Sequence, residues 1–143
     1  MKNPTKIFHA ISYLQYPLML VAFGFYIPFV ISLIQRPIDW AMLNYMLIFL
    51  GVALSFSTLQ DTTTTQNKIS KRVWQDPRKG KALLVVFAVS AFVLIVSGLW
   101  SLFVLEGDQT ESVAIGLTVL GIGMIGLLKV ALEMFENHRL DKG

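Results

Sequence analysis

A chain of 143 residues is the length of one ordinary soluble domain, yet 55% of it is apolar, 15% is charged and its mean hydropathy is +0.62. Soluble domains carry roughly a quarter charged residues, and here the apolar residues fall in blocks too long for a strand or a half-buried helix. The composition excludes a soluble globular domain. The polar remainder is too short to build a core of its own, so residues 1–143 read as a single transmembrane domain.

A bilayer core of about 30 Å needs about 20 mainly apolar residues at 1.5 Å rise each. The first such block covers 7–34. As one helix, 5–34 would measure about 45 Å, more than a single straight crossing needs. Pro17 and Pro28 each remove an internal hydrogen bond, freeing the carbonyls of Tyr13 and Gly24, so kinks are expected at both. Phe8, His9, Tyr13 and Tyr16 suit the water–lipid interface; the spacing predicts that 5–16 lies partly in that interface and 18–34 crosses. The basic start followed by an apolar run imitates a signal peptide. That run is far longer than a signal's apolar region and no small-x-small cleavage site follows, so an uncleaved span is expected. A broken helix lining a substrate path is the functional alternative.

A short connection over 35–39 leads to the second span, 40–59. Its one amide, Asn44, and Gln15 in the first span are the amides nearest the hydrocarbon. Such groups commonly hydrogen-bond across helices; contact with a ligand is the other reading. The loop 60–81 is the one polar segment of any size. Asp61 and the run Thr62 to Thr65 start helices well and suit their interiors poorly. Residues 66–75 predict a short amphipathic helix, with Ile69, Val73 and Trp74 toward the membrane and Lys68, Lys71 and Arg72 toward water. Asp76-Pro77 ends it, and Arg78, Lys79 and Lys81 anchor the next span. This basic cluster beside four threonines is a candidate contact for anionic lipid or phosphate and a candidate phosphorylation site, against the plainer reading of a solvated anchor.

The third span, 82–105, contains no charge. Ser90, Ser97 and Ser101 fall within about 40° on one face of its helix. After a connection over 106–111 the fourth span covers 112–128, its helix continuing to about 138. Ser112, Gly116, Gly123 and Gly126 share one face of it, and Gly121 points the other way. Small residues let membrane helices approach closely, so the serine and glycine faces are expected to meet each other, or the glycine face to meet another subunit. Lys129 and Glu133 stand at i, i+4 in the weaker order for an ion pair, and the lysine can snorkel toward headgroups.

Blocks of this length exclude β-barrel strands, which are about 9–11 residues. The fold class is therefore all-α: a polytopic membrane protein of four transmembrane helices, arranged as two antiparallel hairpins joined by short loops, a four-helix bundle. Eleven of the twelve Lys and Arg residues fall on the side of both termini and the long loop, and Arg36 alone on the other. Basic residues collect on the cytoplasmic side, which places both termini and 60–81 in the cytoplasm. The bacterial inner (plasma) membrane is the expected location.

Absent residues narrow the chemistry. Without cysteine there is no disulfide, thiolate metal site or thiol redox chemistry. His9 and His138 sit near the ends of different helices without a second ligand at metal spacing, so neither metal nor cofactor is expected. Gly-x-Ser-x-Gly, His-Glu-x-x-His and a phosphate-cradling glycine loop are all missing, which argues against an enzyme. No ionisable group stands deep in a span, as a proton relay needs. That also disfavours the proton-coupled antiport of small four-helix drug exporters. The positive-inside asymmetry accounts for the net charge of +3 and a pI near 9.3, leaving no case for nucleic acid.

The expected function is that of a non-catalytic accessory or scaffold subunit, or a homo-oligomer, packing through small-residue helix faces. Its partners would be membrane lipids and another membrane subunit or a second copy. The alternatives are a small channel or transporter with a pore along Ser90, Ser97, Ser101 and Asn44, and lipid binding or lipid chemistry at the basic loop with His9.

Overall fold

Helix α1 (Pro4–Ser12) opens on a proline in its first turn, where a missing N–H leaves nothing unsatisfied. The computed structural model describes residues 3–63, 67–104 and 106–141, and all regular structure among them is helical. Four helical stretches are long and apolar enough to cross a membrane. α1 stops where the Ser12 hydroxyl donates back to the His9 carbonyl at 2.7 Å. Pro17 has no N–H to give the Tyr13 carbonyl, which accepts the Tyr16 N–H at 3.1 Å instead. The chain turns there, and α2 (Gln15–Gln35) begins. Pro28 sits inside α2 without ending it.

The connection to α3 (Trp40–Ser57) is four residues long. Arg36 takes a left-handed φ of 42°. Ser32 Oγ accepts the Asp39 N–H at 3.0 Å, and the Asp39 carboxylate caps α3 by accepting the Met42 N–H at 3.2 Å. Helix α4 (Lys68–Gln75) starts on Asn67, whose Oδ1 accepts the Ser70 N–H at 2.7 Å. Asp76 is extended and ends α4, then caps α5 (Pro77–Phe103) by accepting the N–H groups of Arg78 and Lys79. α5 thus starts five residues before the expected 82. α6 (Asp108–His138) starts four before the expected 112 and runs unbroken to its end. At about 40 and 46 Å, α5 and α6 exceed an apolar core of about 30 Å, leaving turns of both beyond it.

The long helices stand in the order α2, α3, α6, α5. α2 runs antiparallel to α3, with Phe25 against Tyr45 and Phe49 and Phe29 near Trp40. α3 and α6 run parallel: Asn44 lies beside Gly116, Gly51 beside Gly123 and Thr58 beside Gly126. α5 returns antiparallel to α6, with Gly98 beside Ala114 and Thr118, Gly121 beside Ile95, and Gly80 beside Phe135. α2 has no comparable contact with α5 or α6, so the expected bundle is an open row. Each half of the chain is a short helix followed by a long hairpin, and the halves join through their second long helices.

The buried residues change character along the row. Midway they are small, among them Ala22, Ala53, Ala91 and Ala114. Lipid gives helices no hydrophobic drive to associate, so they hold by van der Waals contact, which small residues bring close. At the end that carries α4, Trp74, Val130, Ala131, Met134 and Phe135 form a cluster with Leu83, Leu84 and Phe87 packed against it. Trp74, expected to face the membrane, is instead turned inward, where burial removes the indole from water; Ile69 is the residue left outside, 78% exposed.

Candidate functional site

At the α3·α6 seam two helix backbones come into direct contact. A Cβ added at Gly51 would stand 2.6 Å from the Val119 carbonyl oxygen and 2.8 Å from the Leu120 Cα. One added at Gly123 would overlap the Gly51 carbonyl oxygen and lie 3.0 Å from its Cα. Those obstacles are backbone, so both positions require glycine. One turn pair away, Asn44 Oδ1 accepts the Gly116 N–H at 2.8 Å, tying the two helices through the amide. Gly126 meets the Thr58 side chain. The glycine face is thus covered by α3 within the chain.

The serine face lies elsewhere. Gly80, Ala91 and Gly98 are buried along the line where α5 meets α6. Ser90, Ser97 and Ser101 are half-buried, about 100° or less around the helix from that line. The serine and glycine faces therefore do not meet, because glycine and alanine, smaller still, take the centre of the α5·α6 contact and leave the serines to its flank. Ser112 is half-buried in the second turn of α6. Gln15 is buried at the start of α2, near buried Ser12.

A second set of polar residues forms a cap at the opposite end of the seam from Asn44. Asp61 donates its N–H to His9 Nδ1 at 3.3 Å, and its carboxylate accepts both the N–H and hydroxyl of Thr63, at 3.0 and 2.6 Å. The Thr63 hydroxyl, more than its N–H, holds the Asp61 carboxyl below its ordinary 3.8. Asn137 Nδ2 donates to the Thr62 carbonyl and hydroxyl at 3.2 Å, and the Leu140 N–H reaches the Gln75 carbonyl. Two of the four threonines are thus engaged in holding the cap together; Thr64 and Thr65 lie outside the described residues. The Lys79 N–H first, then that of Arg78, lowers the Asp76 carboxyl from 3.8. Lys68, Lys71, Arg72, Arg78, Lys79 and Lys81 are all exposed on this cap, with Lys79 also 3.4 Å from Asp76. Lys129 and Glu133 form an exposed pair at 3.4 Å.

Beneath α4 is a cavity of about 210 Å³, open on one side. Phe87, Leu127, Val130, Ala131 and Met134 form its apolar floor, Gln60, Asn67 and Ser70 its polar rim. Trp74 lines it too and donates Nε1–H to Ser70 Oγ at 3.1 Å. A second, wholly apolar groove of about 220 Å³ lies on the α2·α3 face between Ala22, Phe23, Tyr26, Met46 and Leu50. Among the described residues no three His, Asp or Glu side chains stand together as a metal would need. Comparison with protein-family models, curated proteins and solved structures finds no match.

Reading the sequence alone missed Gly51, Gly80 and Gly98 as packing positions. Their signal was present: Gly80, Leu84, Phe87, Ala91 and Gly98 repeat at steps of four, three, four and seven, the stripe of a helix seam. Asn137 carried none, since its partner Thr62 is 75 residues away.

Proposed function

We propose that the protein is a non-catalytic integral membrane protein, an accessory or scaffold subunit that presents the polar cap to the cytoplasm. The observation that carries this reading is the division of the surface. Small-residue seams are covered inside the chain, no Asp, Glu, Lys or Arg stands deep within an apolar span among the described residues, and one end carries a cap of interlocked polar groups together with nine of the ten described Lys and Arg residues. That excess favours a cytoplasmic cap and both termini on that side, in a bacterial plasma membrane. The exposed lysines and arginines of 68–81 would rest against anionic headgroups, each contributing about 1 kcal/mol near the surface.

Extraction from native membranes in mild detergent, followed by native mass spectrometry, tests the role. A complex of fixed stoichiometry with another membrane subunit or a second copy is expected; a lone chain at every detergent concentration would overturn it. Tags at residues 38 and 109 should report the side away from the cytoplasm, and a cytoplasmic signal from either would reverse the orientation. A pore along Ser90, Ser97, Ser101 and Asn44 has less support, because Asn44 is turned into the α3·α6 seam while the serines flank the α5·α6 contact. Ion flux through the purified protein in liposomes, lost on Ser97→Ala, would favour that pore over the scaffold.

A further inference from the structure

The cavity beneath α4 has the two-part chemistry of an amphiphile site. Its floor is built from aliphatic and aromatic side chains, while its rim offers hydrogen-bond donors. Asn67 uses Oδ1 on the Ser70 N–H and keeps an amide N–H₂; Ser70 Oγ accepts from Trp74 and has its own proton to give. The volume, about 210 Å³, equals roughly seven water volumes at about 30 Å³ each. Sites that enclose a whole small ligand run to about 300–1,000 Å³. The occupant is therefore one that inserts a chain and leaves its head outside. The cavity lies where α5 and α6 outrun the apolar thickness, beside an Ile69 that is 78% exposed, which is the level of lipid headgroups. Six Lys and Arg side chains against the single Asp76 over 68–81 select a negative head.

We propose that this cavity takes part of one acyl chain of an anionic phospholipid, whose phosphate is held by Asn67, Ser70 and the basic side chains of α4. The proposal rests on the reading of the cap as the headgroup-facing end of the protein, and adds to it a defined site where that reading needs only a charged surface.

The chain has three tryptophans. Trp40 and Trp100 stand at the far ends of α3 and α5, so replacing both by Phe leaves Trp74 as the sole reporter at the cavity. The full-length protein is reconstituted in phosphatidylcholine vesicles containing a small fraction of lipid brominated on its acyl chain, either phosphatidylglycerol or phosphatidylcholine. The brominated phosphatidylglycerol should quench Trp74 severalfold more than brominated phosphatidylcholine at equal fraction. Lys71→Glu with Arg72→Glu should remove most of that preference. Gln60→Phe and Leu127→Phe, which fill the cavity without changing charge or the groups that hold the phosphate, should each abolish the excess quenching. Either filling variant suffices if the other elutes as aggregate. Preference lost on charge reversal but kept in both filling variants means a charged surface without a chain site, which overturns the proposal and leaves the cap reading standing. Equal quenching by the two lipids overturns both.

Discussion

Replacing Gly51 or Gly123 by alanine is the sharpest test of how the two hairpins hold together. Ordinary contact for a Cβ begins near 3.4 Å, and the added atom at Gly51 would sit 2.6 Å from the Val119 oxygen and 2.7 Å from its carbonyl carbon. Both obstacles belong to helix backbone, so no rotamer change relieves them and α3 must move off α6 by most of an ångström. A gap of 0.5–1 Å already forfeits a quarter to a half of each dispersion contact, and lipid supplies no hydrophobic force to resist it. Overpacking of this kind costs about 1–3 kcal/mol. Equilibrium unfolding in mixed micelles should show that loss for Gly51→Ala and Gly123→Ala, and a larger one for Gly123→Leu. The double alanine variant should cost less than the two singles together, since helices parted for one methyl need not part again for the other. Gly24→Ala is the internal control, because nothing lies within 4 Å of a Cβ there. If Gly24→Ala costs as much as Gly123→Ala, or the seam variants unfold like the parent, the backbone-contact account is wrong.

Asn44→Leu should cost about 0.6 kcal/mol, the average for an interhelical membrane hydrogen bond, measured in the same titration; no loss would show that Gly116 gains nothing from the amide. Ser97→Ala should fall within about 0.5 kcal/mol of the parent, whereas Gly98→Leu, which would strike Thr118 and the Ala114 carbonyl, should not. Trp74→Ala should release α4 alone: removal of a buried tryptophan costs about 3–5 kcal/mol, and hydrogen exchange should rise over 68–75 with the spans still protected. Asp61 and Asp76 have folded values below 3.8, so their contribution is present above about pH 4 and fades as acid protonates them. Exchange at α4 and the α5 start should accelerate below that pH, and Asp76→Asn should remove part of the dependence.

The four long helices were legible because length and hydropathy alone decide them, and those two quantities need no partner. Kinks were expected at Pro17 and Pro28; the observed break between α1 and α2 falls at Tyr13 and Leu14, where the Pro17 ring's effect on residue i−4 is felt, and α2 continues through Pro28. The pairing of faces was not legible. Gly116, Gly123 and Gly126 mark one side of α6 as close-packed, but a stripe of small residues names no partner, and serine was a plausible one until Gly98 and Ala91 proved to occupy the α5·α6 line. Gly51, the single glycine of α3, was overlooked because one small residue makes no pattern on its own helix; its meaning comes from Gly123 across the seam. Trp74 misled for a different reason. An amphipathic segment shows which face is apolar, yet both a lipid surface and the ends of α5 and α6 can receive that face, and only the extra turns of those helices beyond the bilayer supply the second option.

Two different adhesives therefore hold one chain. Between the spans contact is backbone against backbone and depends on a handful of glycines, with little area that water would ever wet. At the cap, Trp74, Met134 and Phe135 bury surface that would otherwise meet water, so the hydrophobic effect acts there at full strength. α4 joins the rest through that cluster, and the loop before it is fastened by hydrogen bonds, one from Asp61 to His9 and two from Asn137 to Thr62. A cap held by solvent-dependent forces over a span region that lacks them is the part most responsive to what lies at the membrane surface: salt, acid and headgroup charge all act on it and leave the glycine seam untouched. That separation supports the proposed reading of a cap that responds to the membrane surface, carried on a scaffold of helices.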